Sequence, residues 1–340
     1  MKREHVFIIA EAGVNHNGDL ETALKLVDVA AEAGADAVKF QTFRSDQLAA
    51  PAAPMAAYQE RNTGAGGDQL ALIRSLELDV AAHRTLCERS KERGIRFMST
   101  PFDGPSMQLL HGLGLTIGKV PSGEITNAPY LEAMARTFPE LIVSTGMCTL
   151  VEVRAALDVL FASGADPGRT TLLHCNTEYP TPLEDVNLLA MRTLSEEFSL
   201  PVGLSDHTLG IEVPTAATAL GARVIEKHMT LDRGMPGPDH RASLEPHELK
   251  AMVQAVRAIE RALGTGVKQP TPSERPNIPV ARRSIHLARP LAKGSTIDRQ
   301  DLIMLRPGSG ISPMDLHQVV GHRTARDLAA GHLIAWNDLA

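Results

Sequence analysis

Aromatic side chains make up only 4% of this 340-residue chain, and cysteine occurs three times. The first scarcity removes the stacking platforms on which single-stranded nucleic acid is held. The second leaves Cys87, Cys148 and Cys175 far apart, which indicates neither a disulfide framework nor a zinc knuckle. Such usage is expected in a reducing cytoplasm. Neither sign of charge dominates: 34 Lys and Arg stand against 40 Asp and Glu, a net charge of -6 without the basic footprint of a nucleic-acid partner. Long apolar runs are missing as well. Near the N-terminus VFIIA is interrupted by Glu11, too short for a signal-peptide core, and no segment reads as a membrane span.

What is present is an alternation. Short β-branched runs (VFIIAEAG, AVKFQT, RFMSTPF, TIGKVPSGE, ELIVSTG, TTLLHCNT, PVGLSDH and ARVIEKHMT) are separated by amphipathic stretches such as LETALKLVDVAAEAG, with glycine near the stops. Eight such units in one domain favour an α/β fold of the (β/α)8 TIM-barrel type over an open doubly wound sheet. The barrel is expected over residues 1–266 and a Pro-rich linker over 267–280. A small, mainly β module over 281–340 follows, with a core marginal enough that it should dock on a barrel. One βα connection is too long. Between Thr42 and Asp79 the chain carries Pro51, Pro54 and a GAGG segment, read as an inserted loop on the catalytic face that serves either as a lid or as a surface insertion without function.

Barrel enzymes work at the carboxyl ends of their strands, and polar residues gather there. Lys39 in AVKFQT and Lys119 in TIGKVPSGE are isolated lysines inside apolar strands, costly to bury unpaired. They suit a doubly anionic ligand carrying phosphate and carboxylate, with Thr100, Ser122 and Ser205 as directional donors. Alternatively they pair with Glu11, Glu124 or Glu226; the two readings agree if those pairs open around a ligand. His207 and His228 end two consecutive strands. If these are parallel neighbours, the imidazoles can share one divalent ion, Mn²⁺ or Mg²⁺, with positions open for water and substrate; otherwise they are hydrogen-bonded strand ends.

IAEAGVNHNGD, VKFQTF, STPFD, VPSGE, STGM, LHCNTEYPTP, GLSDHTLG, EKHMTLDR and GPDH, in that order, resemble the sialic acid (N-acetylneuraminate) synthase family, the phosphoenolpyruvate-condensing nonulosonate synthases. The resemblance covers nearly the whole chain, since RRS and RPGSGISP in the last module resemble the family's antifreeze-like (SAF) domain. It implies that Lys39, Gln41, Thr100, Lys119, Ser122 and Ser205, with Asn176 and Thr177 beside them, hold phosphoenolpyruvate. His207 and His228 would hold the metal (Mn²⁺, with Mg²⁺ or Co²⁺ possible), and Glu11, Glu124 and Glu226 would be the catalytic acids. Tyr179 and Asp239 would line the sugar pocket, and Arg306 would be delivered from the small domain of the other subunit of a domain-swapped homodimer. The implied reaction joins phosphoenolpyruvate to an N-acylated mannosamine-type sugar, giving a nine-carbon 2-keto acid and phosphate. The NTEYPTP segment, continued through Asn187 and Leu188, resembles members that make N,N'-diacetyllegionaminate from 2,4-diacetamido-2,4,6-trideoxymannose; synthesis of N-acetylneuraminate from N-acetylmannosamine is the alternative. Two other readings compete. Octulosonate and heptulosonate phosphate synthases would need a second phosphate cluster, which the sequence does not offer. A non-catalytic carbohydrate- or ice-binding protein would leave the converging lysines and histidines without a purpose.

Overall fold

Strands buried on both faces read as nearly continuous apolar runs, because one face packs on helices and the other on the barrel interior. That is how the eight runs fold in the computed structural model, which describes residues 5–48, 50, 54–63 and 69–340, the side chains of Tyr58 and Thr63 excepted. The strands are β1 (Phe7–Gly13), β2 (Ala37–Thr42), β3 (Arg96–Pro101), β4 (Ile117–Val120), β5 (Glu140–Ser144), β6 (Thr170–Cys175), β7 (Val202–Asp206) and β8 (Val224–His228). Parallel ladders join them in the order β3-β2-β1-β8-β7-β6-β5-β4, and the two ends of that order lie side by side, so the sheet curls into a barrel. A helix follows each strand: α1 (Leu20–Ala33), α2 (Val80–Glu92), α3 (Gly104–Gly112), α4 (Ala128–Thr137), α5 (Leu150–Ala162), α6 (Ala190–Phe198), α7 (Glu212–Ala219) and α8 (Pro246–Ala262). Local chemistry sets their ends. Asp19 caps α1 by accepting from Thr22 N, Gly34 at φ 83° ends it, and Thr149 with Glu152 forms a capping box on α5.

Two apolar layers result. The larger lies between strands and helices, with Ile8, Leu26, Phe40, Met134 and Val256 among its members. The smaller plugs the barrel interior with Ile9, Ala37, Met98, Ile117, Ile142, Leu173 and Val224. Its position decides where the site can be, because side chains alternate along a strand and the next inward residue stands two positions further on.

The long connection after β2 is not simply a loop. It contains three short helices, Ser45–Leu48, Ala57–Thr63 and Gln69–Leu76. Leu48, Leu72, Ile73 and Leu76 from it join Val14, Phe43 and Phe102 in an apolar cluster, and the burial that cluster offers is what orders the segment. Pro51 and the GAGG segment lie outside the described residues.

The chain divides into two compact units, Met1–Gly264 and Thr265–Ala340. The second holds an antiparallel pair, β9 (Ser284–Leu287) with β10 (Leu302–Leu305), further single bridges and several 3-10 turns. Its core is small: Ile285, Leu287, Ile297, Leu302, Ile311, Val319 and Ile334 are among the nine buried members. Part of the expected linker is structured within this unit, since Ile278–Ala281 is helical and Pro279 O accepts from Gly308 N at 2.7 Å. Among the described residues no helix is long and apolar enough to cross a membrane.

Candidate active site

Two residues beyond each interior plug position, the barrel changes from apolar to polar all the way round. Ile9 leads to Glu11, Ala37 to Lys39, Met98 to Thr100, Ile117 to Lys119, Ile142 to Ser144, Leu173 to Cys175 and Val224 to Glu226, with Ser205 completing the ring from β7. All eight line one cavity of about 600 Å³ at the carboxyl ends of the strands. One step further along, Gln41, Thr177, His207 and His228 form its next layer, with Ser122, Tyr179 and Asp239 on the loops above.

In this ring the lysines are paired. Lys39 Nζ lies 2.7 Å from Glu11 Oε2 and 3.6 Å from Glu226 Oε2, and it donates to Thr100 Oγ1 at 2.9 Å. Lys119 Nζ lies 3.3 Å from Glu226 Oε1 and donates to Ser144 Oγ at 2.8 Å. Glu226 therefore bridges both lysines and also accepts from Ser205 Oγ at 2.9 Å. Burial alone would raise its pKa, but Lys119 and Lys39 outweigh that and hold its carboxyl near 2. Glu11 goes the other way: burial, reinforced by the charge on Glu226, lifts it to about 7 despite Lys39. The lysines thus favour the carboxylate form of Glu226, while burial favours the protonated form of Glu11.

The imidazoles occupy adjacent strand ends, their ring centres 5.4 Å apart. His207 Nδ1 donates to the Asn176 carbonyl, which leaves the lone pair on Nε2, the atom that faces Ser205 Oγ at 3.4 Å. Burial lowers the pKa of His207 to about 4 and that of His228 well below its ordinary value, so both rings are neutral. His228 Nδ1 is buried without a hydrogen-bond partner, 3.9 Å from Asp239 Oδ2. That distance is too long for a hydrogen bond and suited to one intervening atom. Asp239 itself is raised to about 7 by burial. Tyr179 closes the side, stacked on His207 at 4.0 Å between ring centres. Gly13, at φ 52°, permits the close approach of His228, because a Cβ there would stand 3.2 Å from His228 Cε1. Two neutral imidazoles with an orphaned ring nitrogen fit a divalent ion whose other ligands are water or substrate. They do not fit a closed structural site, as no group of three or more His, Cys, Asp or Glu among the described residues could enclose an ion.

The inserted segment reaches the rim. Arg61 pairs with Glu178, and Asn62 Nδ2 donates to the carbonyls of Tyr179 at 3.2 Å and Pro238 at 2.6 Å. Leu48, Leu72, Ile73 and Leu76 line the cavity from this side, so the segment forms part of its wall.

Two assigned residues of the first unit stand off the cavity lining. Glu124 ends the 3-10 turn Ser122–Glu124, accepts from Asn127 Nδ2 at 2.6 Å and is not among the residues lining the cavity. Asn176 meets the site through its carbonyl, which orients His207, while its side chain accepts from Glu178 N at 2.7 Å. Arg306 is exposed in the second unit, its Nε donating to Ala281 O at 3.0 Å. Sequence reasoning left Ser144 and Cys175 without a role, although each stands two residues past a plug residue. Ser122 Oγ lies 3.1 Å from Cys175 Sγ and accepts from Gly146 N at 2.9 Å. Gly146 must lack a side chain, since a Cβ would come within 2.8 Å of Ser122 Oγ.

The barrel mouth thus combines two carboxylate-paired lysines with an imidazole pair, and comparison with known proteins shows the family to which such a chain belongs. Residues 26–268 match the NeuB family and residues 282–340 match the SAF domain, so the chain belongs to the NeuB family and carries an SAF domain. It is 50% identical over 335 residues to the N,N'-diacetyllegionaminic acid synthase of Legionella pneumophila, covering 98% of this chain and 94% of that protein. To the Campylobacter jejuni protein of the same name it is 48% identical over 327 residues, 96% of this chain and 98% of that one. A crystal structure of an N-acetylneuraminic acid (sialic acid) synthetase from Leptospira borgpetersenii, in complex with citrate, superposes with a TM-score of 0.71 at 38% identity, over 81% of this chain and 90% of that one.

Proposed function

We propose that the chain condenses phosphoenolpyruvate with 2,4-diacetamido-2,4,6-trideoxymannose to give N,N'-diacetyllegionaminate and phosphate. The observation that carries this reading is the shared carboxylate of Glu226 between Lys39 and Lys119, beside two neutral imidazoles. Two buried ammonium groups that share a carboxylate can exchange part of that pairing for the phosphate and carboxylate of the enol ester. Thr100, Ser122 and Ser205 then supply directional donors. The relatives named as N,N'-diacetyllegionaminic acid synthases support the choice of sugar.

His207, through Nε2, and His228 would hold a divalent ion, Mn²⁺ by preference, which when bound supplies Lewis-acid polarisation at the sugar aldehyde. The chain's own residues do the rest. Lys39 and Lys119 orient C3 of phosphoenolpyruvate toward the aldehyde carbon, where the new C–C bond forms. Positive charge develops at C2, and the carboxylates of Glu226 and Glu11 stabilise it. Water adds to C2 and gives one proton to Glu11, which passes it to the oxygen of the former aldehyde; the C2–O bond to phosphate then cleaves as the C2 hydroxyl becomes the ketone, its proton leaving with the phosphate. Asp239 and Tyr179 line the sugar side.

Arg306 would complete the sugar site from the small domain of a partner subunit in a swapped homodimer. This is supported by exposed apolar side chains at the site end of the barrel, Met147, Val151, Leu183 and Leu189, and by exposed Leu305 and Met314 in the second unit. We place the protein in a reducing cytoplasm, which suits its three free cysteines.

Phosphate release with phosphoenolpyruvate and Mn²⁺ tests the reading, comparing the 2,4-diacetamido-2,4,6-trideoxy sugar with N-acetylmannosamine. Faster turnover of the former is expected. Preference for N-acetylmannosamine would reassign the substrate, and no product from either would overturn the synthase reading.

A further inference from the structure

Strand alternation that sends His207 and His228 inward sends their neighbours Asp206 and Lys227 outward, into the layer between strands and helices. Lys227 is fully buried there, and Asp206 is 2% exposed. The two are register partners on β7 and β8. Lys227 Nζ donates to Asp206 Oδ2 at 2.5 Å and to the carbonyl of Thr208 at 2.5 Å. Asp206 turns back on the same chain: Oδ1 accepts from Thr208 N and Oδ2 from Thr208 Oγ1, each at 3.0 Å. A single ammonium group, one residue before His228, thus grips the residues on both sides of His207.

Burying such a pair is a poor way to gain stability. The desolvation of two ions offsets their attraction, and apolar replacements of similar volume are often as stable or more so. What the pair does supply is geometry. A Cβ on Gly203, lower on β7, would stand 2.3 Å from Val224 O, so the two strands are already in close approach at their bases. The ion pair fixes their far ends, where the rings face each other at 5.4 Å.

We propose that Lys227, Asp206 and Thr208 form a strut that sets the separation of His207 and His228, making all three positioning residues for the metal-binding pair. The metal arm of the test rests on the function proposed above; the positional arm does not. Outer groups that orient metal ligands are commonly worth about 10- to 100-fold in metal affinity.

The test uses full-length protein carrying Lys227→Met with Asp206→Asn, which removes both charges together, and Thr208→Val as a milder variant in case the first folds poorly. Mn²⁺ titration followed by the spectrum of the free aquo ion reads affinity, melting temperature reads stability, and a crystal structure reads ring separation. Binding at least about 10-fold weaker in the folded double variant, with a smaller loss in Thr208→Val, is the expected result. A role in stability alone would lower the melting temperature and leave affinity and ring separation unchanged, and that result overturns the strut. If His207→Ala binds Mn²⁺ as the unmodified protein does, the metal reading fails, and ring separation still decides: an increase over 5.4 Å in the double variant supports the strut and an unchanged value refutes it.

Discussion

Buried carboxylates in the two units are treated in opposite ways. In the small unit, Asp301 accepts from Arg289 Nε at 2.6 Å and from Asp298 N at 2.9 Å. Asp338 is served on both oxygens, by Arg326 at 2.7 Å on one and by His332 Nε2 at 2.8 Å and Ala335 N at 3.0 Å on the other. In the barrel mouth, Glu11 Oε2 and Glu226 Oε2 have no well-directed hydrogen bond and meet Lys39 only as ion contacts. The first arrangement closes turns in a unit with a small core. The second leaves buried carboxylate oxygens beside the lysines without a hydrogen bond, and the proposed anion site rests on that difference.

Neutralising the two regions should therefore have different consequences. Lys39→Met alone leaves Glu11 without its cation; burial already lifts that carboxyl to about 7, so it takes up a proton, and the cost in stability should be about 1–3 kcal/mol. Adding Glu11→Gln should return most of the melting temperature, while kcat/KM for phosphate release stays down by at least about 100-fold. Restored activity in the double variant would put the mouth in the same category as the small unit.

In the small unit the expected order is reversed. Asp338→Asn should destabilise it by about 2 kcal/mol, since charge-assisted hydrogen bonds are lost. Trp336 is the only tryptophan and sits in the Trp336–Asp338 turn, so its fluorescence during urea unfolding of the full chain reports this unit. The same probe reads acid sensitivity. Burial works against the charge on Asp338, yet His332, Ala335 N and Arg326 hold its carboxyl below the ordinary value of 3.8. A depressed acid contributes stability that is present above 3.8 and lost as pH falls through the folded value. The Trp336 transition should therefore be flat with pH down to about 4 and lose stability below it, with the loss diminished in Asp338→Asn.

Much of this was legible in the residues, and the reason is the period of two. All eight strands could be placed because runs such as AVKFQT and RFMSTPF end in polar residues at the carboxyl side, and the same alternation puts Lys39, Thr100, Lys119 and Glu226 on the inner face. Turn geometry was not legible. Glu124 stands close in sequence to Ser122, yet the 3-10 turn directs it to Asn127. Nor could sequence separate Asp206 and Lys227 from their histidine neighbours, since a polar strand end reveals its two faces only once the pleat is known. The helices of the inserted segment depend on an apolar cluster assembled from three separate stretches of chain, which local propensity does not contain.

Lys39 and Lys119 are proposed to release part of their carboxylate pairing to an anionic substrate. Calorimetric titration of the full-length protein with phosphoenolpyruvate, beside Lys119→Met, tests it most directly. Salt-sensitive binding that weakens by at least about 100-fold in the variant is expected. Equal affinity in the two proteins would contradict it.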